Sequence, residues 1–389
     1  MAPRTVSPAS AEEAAEVLRA AARDDLAVVA RGAGTKQDWG NPPRRVDLVV
    51  ETKNLTGVVE HAAGDLIVVV RAGTPVEELQ EKLAPAGQQL GLDTPIPGAT
   101  AGGTVALNVS GPRRMLYGTV RDLLIGVTIV RADGVVAKAG GKVVKNVAGY
   151  DLGKLVTGSY GTLGLITECV FRLHPLPAAT AVVRRHVGSA QAAGQLVAAV
   201  LGAQVVPSAL EVDTTGGGAD GVIEVAVLLE GVPAGVAGRV TATRMILGGD
   251  SVAGETAPDW WGRYPWHPGD VGIKLTAALS GVASLLAAAG AASDHHDVPV
   301  RVRGSAGTGV LYAGLPASTD PAVVARIVDE LRAAADRAGG HAVVLTAPAP
   351  VREHVDIWGR VAGLDLMRRI KQQFDPDGRL APGRFVGGI

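Results

Sequence analysis

Three glycine-rich stretches in the first 165 residues constrain this chain more than any other feature. The first is Arg31-Gly-Ala-Gly-Thr-Lys36, entered from the apolar run Leu26-Ala-Val-Val-Ala30. The second runs from Pro95 through Pro97, Gly98, Ala99, Thr100, Gly102 and Gly103 to Asn108, with Gly111 and Gly118 beyond it. The third joins Lys145-Asn-Val-Ala-Gly-Tyr-Asp-Leu152 to Gly158-Ser-Tyr-Gly-Thr-Leu-Gly164. That is more glycine than connections between packed elements require. A backbone without side chains lets a flat or anionic ligand reach main-chain N–H groups.

Two familiar glycine motifs are excluded. In a G-x-G-x-x-G dinucleotide loop the third glycine would fall at Gln37, and Pro42-Pro43 leave no room for the helix that should follow. Gly141-Lys142 precedes Val143 and Gly153-Lys154 precedes Leu155, where a Walker loop requires Ser or Thr. The first stretch reads as a glycine loop between two strands. It is either an ordinary tight turn or an anion nest of backbone N–H groups helped by Thr35 and Lys36.

Charge removes other classes. Lys plus Arg (37) and Asp plus Glu (38) nearly cancel, which argues against general nucleic-acid binding. With 47% hydrophobic residues, disorder is not expected. The single Cys169 cannot form an internal disulfide and fits a reducing compartment. The N-terminus has no apolar run of signal-peptide length, so a cytoplasmic protein is expected, with peripheral membrane attachment through partners left open. The uncharged stretch 275–293 carries its larger apolar residues at helical spacing and reads as a buried helix with no membrane span.

Residues 1–175 read as α+β: a helix over 10–23 capped by Ser10, strands near 26–30, 46–50, 65–71, 123–131, 135–138 and 165–172, and a short helix over 75–83. Residues 176–350 read as a second domain, with helices over 189–201, 233–246, 280–291 and 320–338. Strands are expected over 208–213, 221–229, 271–277, 298–303, 308–314 and 341–346, which predicts an antiparallel sheet with helices on one face. The recurring order raises an internal duplication that the residues alone do not decide. Residues 351–389 read as a helix over 357–374, a turn at Asp375-Pro-Asp-Gly378, and a tail.

Taken in order, Arg-Gly-x-Gly-Thr (31–35), Pro-Gly-x-Thr-x-Gly-Gly with a following Asn (97–108), Gly-Tyr-Asp-Leu (149–152) and Gly-Ser-x-Gly-Thr-Leu-Gly-x-Ile-Thr (158–167) resemble the FAD-binding domain of the vanillyl-alcohol oxidase / p-cresol methylhydroxylase (PCMH-type) superfamily. The tail from Lys371 to Arg384 resembles its C-terminal signature. The resemblance covers residues 5–175 and 355–386, and comes nearest to FAD-binding subunits of glycolate oxidase-type complexes.

It implies an α+β fold in which a two-subdomain FAD-binding domain (1–175) carries an antiparallel-sheet cap (176–350) and takes back the C-terminal helix and tail (351–389). It implies that Arg31, Gly32, Ala33, Gly34, Thr35 and Lys36 cradle the pyrophosphate. Pro97, Gly98, Ala99, Thr100, Gly102, Gly103 and Asn108 would line pyrophosphate, ribityl chain and ring, with Gly111 and Gly118 letting the chain pass close. Gly149, Tyr150, Gly161, Thr162, Leu163, Gly164 and Ile166 would pack near adenosine and ribityl. Some members attach FAD through a His in the first loop, where Thr35 stands here, so non-covalent FAD is expected. Relatives usually carry Asn where Ala381 stands.

The activity implied is oxidation of a 2-hydroxy acid such as glycolate or D-lactate, or relay of its electrons. A second flavoprotein subunit and an iron–sulfur subunit would be partners. Two alternatives stand beside it: a self-sufficient FAD-dependent alcohol or sugar oxidase, and a non-catalytic FAD-bearing assembly subunit. A 2-hydroxy acid needs a base for its hydroxyl and a cation for its carboxylate. No catalytic base is evident. Lys274 and Arg303, on expected second-domain strands, are the candidate cations, with surface ion pairing as the plainer reading. The His-x-Gly-Asp-Gly-Asn-x-His metal motif of related catalytic subunits is not found, and no metal site is expected. Asp294-His-His-Asp297 reads as a solvated loop whose adjacent rings diverge. Trp260-Trp261-Gly-Arg-Tyr-Pro-Trp-His267 reads as part of an active-site roof, a protein interface or a packed loop, Cys169 as a buried core residue, and Arg368, Arg369 and Lys371 as a solvated helix face.

Overall fold

The apolar run before the first glycine loop forms the strand Val28–Arg31. It pairs in parallel with Leu48–Glu51, which pairs in parallel with Arg4–Val6 on its other side. The structure, a computed structural model, describes residues 2–142, 151–214 and 221–389. Gly149 and Tyr150 lie outside the described residues. The chain divides into two units: Met1–Ser110, Gly118–Leu176 and Arg360–Ile389 form the first, and Gly111–Tyr117 with Pro177–Gly359 form the second.

In the first unit, the helix Ala11–Arg23 starts where Ser10 accepts a hydrogen bond from Glu13 N at 3.1 Å, while the Glu13 carboxylate accepts from Ala9 N. Its face of Ala14, Leu18 and Ala21 packs with Val28, Leu48 and Val50. A second sheet is antiparallel, in the order Val58–Ala62, Ile67–Arg71, Leu165–Arg172, Leu124–Val130, Val136–Gly140. Its core takes Leu79 and Leu83 from the helix Val76–Leu83, and Val105 from the helix Ala101–Ala106. Cys169 is wholly buried in that core, and burial pushes its thiol well above the usual range.

The second unit holds an eight-stranded antiparallel sheet, in the order Val252–Gly254, Ala179–Val187, Ile223–Gly231, Ala209–Thr214, Arg301–Ser305, Val310–Leu315, Val271–Thr276, Ala342–Thr346. Each half of the sheet runs strand–helix–strand–strand–helix–strand, and the two halves repeat one order outward from the seam between Ala209–Thr214 and Arg301–Ser305. The structure thus decides for the duplication. Val183, Leu210, Val212, Val225, Val227, Ile273, Leu275, Leu311 and Ala313 face the helices in one core. Period-2 alternation sends their neighbours Glu211, Asp213, Glu224, Lys274 and Tyr312 to the helix-free face. Trp260 and Trp261 pack with Val182, Ala209, Ala226 and Leu228, which also alternate with that core.

Four local readings differ from expectation. The C-terminal helix spans only Leu364–Phe374, because Gly359 and Gly363 hold left-handed φ of 66° and 75°. The strand Ala179–Val187 was not expected, since Arg184, Arg185 and His186 mask its pattern. The run Asp294–Asp297 is no loop: the helix Val282–His296 carries through it, and Asp297 closes it at φ 51°. Lys371 is no surface residue but 9% exposed. Among the described residues, no helix is long and apolar enough to cross a membrane.

Candidate functional site

The first unit contains a cleft onto which all three glycine stretches open. Gly32, Ala33, Gly34, Thr35 and Lys36 line it from the first glycine stretch, Thr100, Gly102 and Gly103 from the second, and Gly161, Gly164 and Ile166 from the third. The three stretches, far apart in sequence, thus converge on one cleft. Two glycines have no room for a side chain. A Cβ on Gly32 would lie 2.4 Å from Thr100 Oγ1, the atom that accepts from Gly103 N and caps the helix Ala101–Ala106. A Cβ on Gly102 would lie 2.6 Å from Ala72 Cβ. The Thr100 cap therefore lies directly against Gly32, and the helix Ala101–Ala106 lies directly against Ala72.

The remaining expected residues sit around this lining. Arg31 turns to Glu51 at 2.5 Å. With bonds from Lys53 and Arg31, the Glu51 carboxyl is held down at about 2. Gly98 N donates to Glu77 Oε1, and Ala99 O accepts from Val76 N, so Pro97 to Ala99 brace the helix Val76–Leu83. Asn108 holds φ 50° just past the helix Ala101–Ala106. Thr162 Oγ1 donates to Ser159 O, and Leu163 is buried. Gly118 packs on Asp122, while Gly111 opens the segment that groups with the second unit.

Sequence reasoning missed part of the wall: Ala30, Gln37, Thr52, Ala72, Ala106, Leu107, Tyr160, Leu165 and Arg384 also line the cleft. Arg384 matters most. Buried, it donates to Lys36 O at 3.0 Å and Trp39 O at 3.2 Å, and so fixes the first glycine loop from the tail. Lys371 anchors the same tail: it pairs with Asp375 at 2.6 Å and donates to Thr162 O and Leu380 O. Three acceptors converging on one ammonium explain why this residue leaves the polar stripe of its helix. Ala381 holds φ 42°, the left-handed region that Asn tolerates better than Ala.

The cleft fits FAD on its own chemistry. Lys36 is 5% exposed, and burial lowers its ammonium to about 8. Its hydrogen bond goes to the Thr35 hydroxyl at 2.9 Å, and among the described residues no carboxylate lies within ion-pair distance. A buried cation with no carboxylate in direct contact, beside bare glycine backbone, suits a pyrophosphate. Thr35 offers no imidazole for covalent attachment.

Residues 2–140 match the FAD binding domain family and residues 357–385 match the C-terminal domain of FAD linked oxidases. The chain thus matches an FAD binding domain in its first unit and, in its tail, the C-terminal domain of FAD linked oxidases. Its relatives include the glycolate oxidase subunit GlcE of Escherichia coli, 34% identical over 62% of this chain and 65% of that one. The glycolate oxidase subunit GlcD of Bacillus subtilis is 31% identical over 53% of this chain and 44% of its own length. A D-lactate dehydrogenase of Archaeoglobus fulgidus is 35% identical over 44% of this chain and 38% of its own. The matches therefore span less than two thirds of each of these relatives. An alkyldihydroxyacetonephosphate synthase structure shares the fold, with a TM-score of 0.71 over 98% of this chain and 76% of that one at 17% identity.

The second unit places a separate polar group on the helix-free face of its sheet. Tyr312 and Lys274 are cross-strand partners. Arg114 Nη2 donates to Tyr312 Oη at 3.1 Å, and Tyr264 meets Tyr312 edge-on with ring centroids 4.9 Å apart. Burial lowers the Lys274 ammonium, and Arg114 adds to the effect. Burial pushes the Tyr312 phenol up, but Arg114 and Lys274 outweigh it and leave the phenol below its usual value. Lys274 has no ion pair among the described residues. Arg303 does: Asp213 lies 2.6 Å from its Nε, and its guanidinium stands 5.7 Å from the Trp260 ring. The Trp260–His267 run thus packs on the sheet while bringing Tyr264 and Trp266 beside Tyr312.

Proposed function

We propose that this chain oxidises a small 2-hydroxy acid, glycolate or D-lactate, with non-covalently held FAD, as one subunit of a glycolate oxidase-like assembly. The observation that carries the substrate class is the pair of cations, Arg114 and Lys274, flanking one phenol with no carboxylate paired to Lys274. The substrate carboxylate pairs with Lys274 and Arg114. Tyr312, beside the same two cations, is the group placed to accept the hydroxyl proton. Arg303, held by Asp213, positions the neighbouring loop through its bond to Tyr264 O at 3.2 Å. Bound FAD supplies the acceptor for the two electrons of the Cα–H bond. Lys36, Arg384 and the glycine backbone hold its anionic part.

The partners are a second flavoprotein subunit and an iron–sulfur subunit, and the chain works at the inner face of a membrane through them. Relatives named as glycolate oxidase subunits support this reading. So does Cys169, since one thiol cannot hold a cluster that needs four.

The test is anaerobic addition of glycolate or D-lactate to the purified, flavin-loaded chain, alone and with its partners. Bleaching of the flavin band is expected, with Lys274→Met raising KM about tenfold or more at unchanged flavin content. Bleaching by sugars or simple alcohols but not by hydroxy acids would establish a stand-alone alcohol oxidase instead. A chain that takes up no FAD, or that stays oxidised even with partners, sinks the proposal. Flavin left on the protein after acid precipitation contradicts non-covalent binding.

A further inference from the structure

The helix Val282–His296 ends with two histidines, and both rings address one carboxylate on the neighbouring helix Pro321–Arg337. His296 Nε2 lies 2.9 Å from Glu330 Oε1, and His295 Nδ1 lies 3.3 Å from the same atom. The ring centroids are 4.4 Å apart at 32°. One ligand atom from each of the three residues falls within 4.8 Å of the others. In an extended chain these rings would diverge, but in a helix successive side chains turn by only about 100°. Glu330, 34 residues downstream of His296, completes the group only once the helices pack.

We propose that His295, His296 and Glu330 form a binding site for a divalent transition metal of the zinc class, fastening the two helices together. Two imidazole nitrogens and one carboxylate oxygen are ligands for zinc, cobalt, nickel or copper, and a poor set for magnesium or calcium. Tetrahedral bonds of about 2.0–2.1 Å put neighbouring ligand atoms about 3.3 Å apart. Two of the three edges already stand at 2.9 and 3.3 Å. The C-terminal pole of the helix adds about half a negative charge where the cation would sit. The His296 side chain is 7% exposed and fixed, whereas that of His295 is 70% exposed and leaves an entry path.

The experiment titrates Zn²⁺, Co²⁺ and Mg²⁺ into untagged, chelator-treated full-length protein. Binding is followed by calorimetry and, for Co²⁺, by visible absorption beyond the flavin bands. One equivalent of Zn²⁺ or Co²⁺ is expected, with Mg²⁺ at least a hundredfold weaker. Glu330→Gln and His296→Gln each weaken binding tenfold or more, while His267→Ala, at an exposed histidine elsewhere, leaves it unchanged. His295→Gln alters an exposed ring and keeps the test decisive if His296→Gln does not fold. Zn²⁺ binding that is absent in the wild type, unchanged in His295→Gln and Glu330→Gln, or matched by Mg²⁺ overturns the proposal.

Discussion

The two units solve the placing of charge in opposite ways. In the first, loops do it: glycine backbone brings Lys36 to a cleft, and the carbonyl oxygens of the same loop hold Arg384 there. In the second, strands do it. Alternation sets aliphatic side chains toward the helices, while Lys274, Tyr312, Arg303 and Asp213 take the other face. The loop solution depends on remote tethers, because a glycine loop has little conformational preference of its own. The strand solution depends on register, which two repeated halves fix through many ladder bonds.

Breaking one buried ion pair in each unit separates these logics. Lys371→Met removes the ammonium that ties the tail to Thr162 and Leu380. It should destabilise the first unit by about 3–5 kcal/mol and release FAD, since Arg384 goes with the tail. Arg303→Met strips the partner from Asp213 in the second unit and should destabilise that unit while flavin stays bound. Thermal unfolding followed by flavin fluorescence and by far-UV circular dichroism reads both effects. Equal flavin loss in the two variants would erase the distinction.

A smaller effect sharpens the cleft alone. Lys36 sits at about 8 because burial opposes its charge. An anionic ligand favours the charged form, so FAD affinity should be full below pH 8 and fall by up to about tenfold per pH unit above it, until the bound-state value is passed. The sign reverses for the empty fold. Unfolded lysine keeps its proton to about 10.4, so the empty fold gains stability from this group as pH rises above 8. Lys36→Met should flatten the affinity profile in fluorescence titrations from pH 7 to 9.5. An unchanged slope would remove Lys36 from the site.

The sequence showed the cleft's materials better than its closure. Gly32, Thr35, Lys36, Thr100 and Gly102 announce themselves because glycine clustering is a local signal. Arg384 does not, since its partners lie near Trp39, some 345 residues away. Lys371 is hidden for the same reason: helix periodicity reports faces, not the carbonyl groups a folded neighbour will offer. In the second unit, apolar alternation marked most strands, yet Ala179–Val187 was hidden by charges on its exposed face. The convergence of Arg114 on Tyr312 joins residues 198 apart and has no local trace. Nor has the meeting of Glu330 with two histidines.

The smallest effect tests whether all 52 glycines belong to the first logic. Gly238 lies inside the helix Pro233–Leu247 of the second unit, and a Cβ there would meet nothing within 4 Å. In a helix interior glycine is less favourable than alanine by about 0.5–1 kcal/mol, through the freedom it regains on unfolding. Gly238→Ala should therefore stabilise the second unit by about that amount, seen as a small rise in Tm, with flavin content and turnover untouched. At Gly102 the same change meets Ala72 at 2.6 Å, so there it must push the helix off the end of the strand Ile67–Arg71. If alanine at Gly238 destabilises, its glycine answers to a contact outside this chain. If it stabilises, part of the glycine excess is helix filler, and the functional share narrows to the three stretches that meet at the cleft.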